Sequence, residues 1–157
     1  MTPPITLRDV IDSDLPIFFD QQRDPVAVHM AAFTSRDPND RDAFDAHWKN
    51  IRADLGIVIR TIVFEGSVAG SVAKYMLFGK PEITYGLGRE YWRKGIATAA
   101  LKEFLRQLPR PIYAHAAKDN VASLRVLEKC GFTITGYEKG FAMARAQEIE
   151  EVSLELA

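Results

Sequence analysis

The segment Ile83 to Leu108, ITYGLGREYWRKGIATAALKEFLRQL, most narrows what this chain can fold into. Ile83, Thr84, Tyr85 and Leu87 make a β-rich run, and Gly88 to Gly95 form a turn that carries Arg93 and Lys94. Ile96, Ala97, Ala100, Leu101, Phe104, Leu105 and Leu108 then share one apolar face of a helix. Gly95 lets backbone come close to a ligand, and the N–H groups of Ile96, Ala97 and Thr98 open the helix with no intrahelical acceptor. Together with the positive end of the helix dipole and two adjacent cations, they make an anion site suited to a phosphate or pyrophosphate.

The remaining composition says which anions and partners to exclude. With 157 residues, 47% hydrophobic and 26% charged, one domain spanning residues 1–157 with a sizeable core is expected. A net charge of -1 makes no general electrostatic case for nucleic acid or an anionic membrane, so any anion site must be local. No run approaches a membrane-spanning length, and the start MTPPITLRDV lacks an apolar signal core, so a cytoplasmic protein is expected. The single cysteine, Cys130, excludes an intramolecular disulfide and reads as a buried small apolar residue. His29 and His47 have no ligand spacing with each other or with Cys130, so no metal is expected.

In chain order, Ile5 to Val10 alternates like a strand, and Asp12-Ser13-Asp14 offers caps for a helix carrying Leu15, Ile17, Phe18 and Phe19. Arg23 to Asp42 reads as irregular around a short apolar patch, Val26 to Phe33, and a helix follows from Asp40 to Asp54 with Phe44, Trp48 and Ile51 inward. Ile57 to Phe64, a turn at Glu65-Gly66-Ser67, and Val68 to Phe78 form a hairpin, which Gly79-Lys80-Pro81 extends to a three-stranded meander. After the organising helix, Ile112 to Ala116 is the next strand, so a right-handed crossover and a parallel pair are expected. Asp119 or Asn120 caps a further helix ending near Cys130 and Gly131. Phe132 to Glu138 and Ile149 to Leu156 close the chain as strands joined by a long connection, Lys139 to Glu148. The fold class is mixed α/β (α+β): six to seven mostly antiparallel strands, one parallel pair and about four helices.

Two segments, Tyr91-Trp92-Arg93-Lys94-Gly95-Ile96-Ala97-Thr98 and Asn120 to Phe132, taken together resemble the GNAT family of N-acetyltransferases. Tyr91-Trp92-Arg93-Lys94-Gly95-Ile96-Ala97-Thr98 is similar to that family's pyrophosphate loop, Q/R-x-x-G-x-G/A, with Gly95 and Ala97 at the small positions. Asn120 to Phe132, NVASLRVLEKCGF, is similar to the N-x-x-S-x-x-V-L-E-K-x-G-F segment of the branch that acetylates ribosomal-protein N-termini. In two places the chain departs from the pattern. Trp92 stands where the general motif has Gln or Arg, although that branch commonly has tryptophan there, and Arg93 stands where the branch usually has glycine.

The resemblance implies acetyl-CoA as co-substrate, bound by Arg93, Lys94, Gly95, Ile96, Ala97 and Thr98 at the pyrophosphate. Leu87 on a splayed strand and Asn120 on the opposite wall would meet the pantetheine. Leu127 occupies the place where many members carry a proton-donating tyrosine, and in the resembling branch a serine matching Ser123 takes over. Transfer to an amine also needs a base and an oxyanion donor. Glu82 is favoured as base over His115 and Asp119, and the Leu87 N–H is the donor consistent with the family's pattern. The acceptor is a small-molecule amine or a protein N-terminus; polyamines, amino-sugars and amino acids all stay open. Its pocket is expected from Asp20–Asp54 and Lys139–Glu148. The partners implied are that amine alone, with no nucleic acid and no membrane, and the chain is a monomer or homodimer. A catalytically weak or inactive CoA-binding module is the alternative. A nucleotide-phosphate binder fits less well, since G-x-x-x-x-G-K-[ST] is missing.

Overall fold

A computed structural model describes residues 4–31 and 37–157; Phe33 and Arg36, which the sequence assigned to the acceptor segment, lie outside them. Strand β1 (Ile5–Arg8) leads through a short 3-10 turn into helices α1 (Leu15–Gln22), α2 (Pro25–Ala31) and α3 (Arg41–Ala53). A meander of β2 (Val58–Phe64), β3 (Ser67–Leu77) and β4 (Lys80–Leu87) follows, then α4 (Ile96–Leu105), β5 (Ile112–Ala117), α5 (Val121–Lys129), β6 (Thr133–Ala142) and β7 (Gln147–Leu156). The strands form one sheet in the order β1-β2-β3-β4-β5-β7-β6. Every neighbouring pair is antiparallel except β4 and β5, as the strand–helix–strand reading requires.

Local chemistry accounts for most of these elements. Both turns of the β2–β3–β4 meander place two consecutive residues at positive φ, Glu65-Gly66 (51° and 78°) and Phe78-Gly79 (49° and 77°), which matches the twist of the flanking strands. Asp40 caps α3 by accepting from the Ala43 N–H at 3.0 Å. The segment read as irregular contains α2: Pro25 takes the first helical position, where its missing N–H costs nothing, and the Asp24 carboxylate accepts from the Val26 N–H at 2.9 Å. Its composition hid it because seven residues hold too few turns to show a period.

The long connection Lys139–Glu148 is also corrected. Pairing continues from Glu138↔Glu151 to Ala142↔Gln147, leaving a tight turn at Met143–Arg145 with Ala146 left-handed at φ 52°. On this sheet edge both faces of β6 meet solvent, so the alternation that marks a strand is absent from its sequence.

The sheet separates two cores. Ile62, Val72, Ile83, Ile112, Ala114, Val152 and Leu154 face α4 and α5, where Ile96, Leu101 and Phe104 fill the space. Each fully buried Val, Leu, Ile or Phe side chain among them contributes about 1.5–3 kcal/mol. On the opposite face Phe18, Phe19, Phe44 and Trp48 join α1 to α3 above Ile59 and Val68, with the Phe18 and Trp48 rings stacked at 5.1 Å.

A bulge between β2 and β3 shapes the end of β4. Ile62 pairs with Gly70 and Val63 with Val68, so Ala69 is the extra residue. Its freed carbonyl accepts from the Gly88 N–H at 2.9 Å and from Gln21 Nε2 at 3.1 Å. A Cβ on neighbouring Gly70 would sit 1.9 Å from the Gly86 carbonyl oxygen, a backbone atom that cannot yield without moving β4. Gly70→Ala is therefore expected to cost about 1–3 kcal/mol as overpacking, read as a lowered urea midpoint with unchanged slope.

Candidate active site

A cleft opens where β4 and β5 part. The two strands share a single register pair, Glu82↔Tyr113, and then separate, which leaves the backbone of Thr84 to Leu87 unpaired on that side. Gly88 donates toward β3, so strand alternation turns the Leu87 amide the other way, toward the cleft. The Leu87 carbonyl accepts from Trp92 Nε1 at 3.1 Å, which ties the loop to the end of the strand and leaves the Leu87 N–H to the cleft. Trp92, a departure from the general motif, is thus a brace for the loop.

The loop itself is built to present amides. Arg93 adopts φ 61° and Gly95 φ 76°, both left-handed. Arg93 therefore takes up the conformation for which glycine is the usual residue, at a cost of about 1–2 kcal/mol. Among the described residues, the N–H groups of Arg93 to Thr98 donate to no backbone carbonyl, and the first α4 bond runs from Ala99 to Gly95. Six consecutive free amides, with Arg93 and Lys94 exposed beside them, form a concave cationic cradle that fits a pyrophosphate.

The start of α5 is the other wall. The Asn120 side-chain oxygen accepts from the Ser123 N–H at 3.3 Å, and its Nδ2 donates to the Met30 carbonyl at 3.2 Å, so Asn120 caps the helix and pins it to α2. Ser123 lies in the first turn, with its Oγ accepting from the Tyr85 hydroxyl across the cleft at 3.2 Å. Leu127, one turn further, is 3% exposed.

At the vertex of the splay Glu82 Oε1 meets His115 Nδ1 at 2.7 Å, with side-chain exposures of 4% and 28% respectively. The pairing holds Nδ1 as the donor and leaves Nε2 with its lone pair. A ligand-bearing atom each from His115, Glu138 and Glu151 lie within 4.8 Å of one another. Burial pushes the Glu151 carboxyl up, His115 offsets part of this, and Glu138 and Glu82 add to it. Two carboxylates and an imidazole thus gather on one face of the sheet. Asp119, the third base candidate, is gripped by both terminal nitrogens of Arg145, whose hydrogen bond holds the carboxyl below its ordinary value and whose Nε donates to the His29 carbonyl at 3.0 Å.

Similarity to known proteins agrees with this geometry. The model of the acetyltransferase (GNAT) domain matches residues 5–133. The chain belongs to the GNAT acetyltransferase family. No curated protein matches this GNAT chain. Spermidine N-acetyltransferase from Vibrio cholerae, solved with CoA and spermine, is similar in structure at TM-score 0.83 and 17% identity, covering 97% of this chain and 94% of that one. Phosphinothricin acetyltransferase from Sinorhizobium meliloti with AcCoA gives 0.80 at 19%, covering 97% and 87%. RimJ of Mycobacterium smegmatis with CoA-disulfide gives 0.80 at 21%, covering 98% and 82%. At these identities the likeness is one of fold.

The structure thus brings Leu87, Arg93 to Thr98, Asn120 and Ser123 around one cleft, with Glu82 at its vertex. Sequence reasoning named all of them but missed the Tyr85 hydroxyl, the His115 partnership of Glu82, and Glu138 with Glu151. Period-two alternation does place Glu82 and Glu151 on the face away from Ile83 and Val152. It does not say that those faces meet.

Proposed function

We propose that this GNAT domain, residues 1–157 as one unit, transfers acetyl from acetyl-CoA to an amine within a ternary complex. The observation that carries this reading is the β4–β5 cleft, with free amides at its wide end and the Glu82–His115 pair at its vertex. The amides of Arg93, Lys94, Gly95, Ile96, Ala97 and Thr98 hold the pyrophosphate. Leu87 donates its N–H to the oxygen that gains charge, and Asn120 orders the helix start that carries Ser123. His115 Nε2 takes the acceptor's proton, with Glu82 fixing the ring and stabilising the imidazolium that forms. Ser123 protonates the departing thiolate.

Glu138 and Glu151 beside His115 favour an acceptor that carries positive charge next to its reacting amine, a class to which both basic peptide N-termini and polyamines belong. Kinship with the ribosomal-protein branch rests on the Asn120 to Phe132 segment. A cytoplasmic setting follows from the co-substrate; no helix among the described residues is long and apolar enough to cross a membrane.

Titration calorimetry with acetyl-CoA, followed by turnover across an amine panel, tests the whole proposal. Binding with turnover on at least one amine is the expected result; binding without turnover on any amine would leave only a CoA-binding module. Glu151→Gln is expected to raise KM for a cationic acceptor about tenfold, which is about 1.4 kcal/mol. KM for acetyl-CoA should stay unchanged.

A further inference from the structure

Resting on the acetyl-transfer reading, we propose that Tyr85 supplies the proton that leaves with the thiolate, relayed through Ser123. A serine hydroxyl alone is a poor acid for this step, because it is far weaker than a thiol, whose ordinary pKa is about 8.5. A phenol, at about 10, lies much closer. Leu127, the next residue on the same helix face, carries no proton to give.

Each of these two hydroxyls can donate or accept, so their contact can run in the direction the relay needs. Tyr85 Oη donates to Ser123 Oγ at 3.2 Å, so the Ser123 proton is free to point elsewhere. The two hydroxyls come from opposite walls of the cleft, Tyr85 from β4 and Ser123 from the first turn of α5. Burial pushes the Tyr85 phenol up and the hydrogen bond with Ser123 works against that rise, so the Ser123 contact is what favours release of the proton. Cys130 is the other titratable group against the ring, and burial pushes its thiol up as well.

In the step, the amine nitrogen forms a bond to the acetyl carbon and the carbon–sulfur bond breaks with its electron pair going to sulfur. Ser123 Oγ–H passes to that sulfur while Tyr85 Oη–H passes to Ser123 Oγ. The resulting Tyr85 phenolate is reprotonated from water through Ser123 after the products leave, so protons balance over the cycle. Tyr85 acts through Ser123 and is therefore a positioning and relay residue.

Two measurements on the full chain test it. In kinetics, Tyr85→Phe is expected to lower kcat about 10–100-fold with KM for acetyl-CoA within about twofold. The Tyr85→Phe Ser123→Ala double variant should be no slower than Ser123→Ala alone, since a relay acts as a unit. In ultraviolet titration of bound CoA, the protein-only curve being subtracted for Cys130, the thiol should titrate below its free value in the wild type. In Tyr85→Phe it should return to the free value. A Tyr85→Phe kcat within about twofold of wild type, multiplicative losses in the double variant, or an unchanged thiol titration would each overturn the relay. If no amine is turned over, acetyl transfer fails, yet the thiol titration still decides whether the two hydroxyls act on the sulfur.

Discussion

Asp14→Ala is expected to destabilise the protein by about 3 kcal/mol at neutral pH, although Asp14 touches no part of the cleft. Its carboxylate is 1% exposed and takes both Arg8 guanidinium nitrogens (2.8 and 2.9 Å), the Ile11 N–H (3.0 Å) and the Thr61 hydroxyl (2.7 Å). Burial alone would push the carboxyl up, but these donors and the Arg8 charge outweigh it and hold it at about 2, against an ordinary 3.8. A carboxylate depressed by that much contributes roughly 2.5 kcal/mol. Thr61 is itself fully buried, so the substitution also strands its hydroxyl. The sign with pH follows from the lowered folded value. The contribution is complete above the unfolded value of 3.8 and is lost as pH falls through that value toward 2. Denaturant melts at pH 7 and pH 3 check this: the gap between wild type and Asp14→Ala should shrink markedly at the lower pH.

His115→Ala is expected to lower kcat about 10²–10⁴-fold, the range for removing a positioned acid–base group. KM for acetyl-CoA should hold, because the cradle at Arg93 to Thr98 lies at the other end of the cleft. The substitution also strips the Glu82 carboxylate, with a 4% exposed side chain, of its Nδ1–H donor, so stability should fall as well. Glu82→Gln separates the two effects. A glutamine can still accept the Nδ1 hydrogen bond and preserve the fold, but without charge it cannot stabilise the imidazolium, and kcat should drop about 10–100-fold with little change in unfolding free energy. Steady-state kinetics and urea melts on both variants provide the check.

The residues legible from sequence share a local cause. The Asp40 and Asn120 caps, Gly131 at φ 99° after α5, and the free amides ahead of α4 are each settled by a few neighbouring residues. The Arg93 to Thr98 loop was legible for the same reason, since its form is one of unpaired backbone amides and left-handed turns. Where local signals were thin, the reading slipped: α2 was too short to show a period, and β6 is too exposed to alternate. Asp14, read as a cap for α1, makes no side-chain bond into that helix and turns its carboxylate back to Arg8, the Ile11 N–H and Thr61.

Sequence alone determined that a strand, an amide-rich turn and a helix would follow one another, with unpaired amides at their junction. Those are properties of contiguous backbone. Which side chains act together was decided only by tertiary structure: Tyr85 meets Ser123 across 38 residues and Thr61 meets Asp14 across 47. Glu82 reaches His115 because the β4–β5 register sets Glu82 beside Tyr113 before the strands part. Register between strands separated by a helix is fixed by how the whole core packs, and a slip of one residue would turn each of these groups to the other face of the sheet.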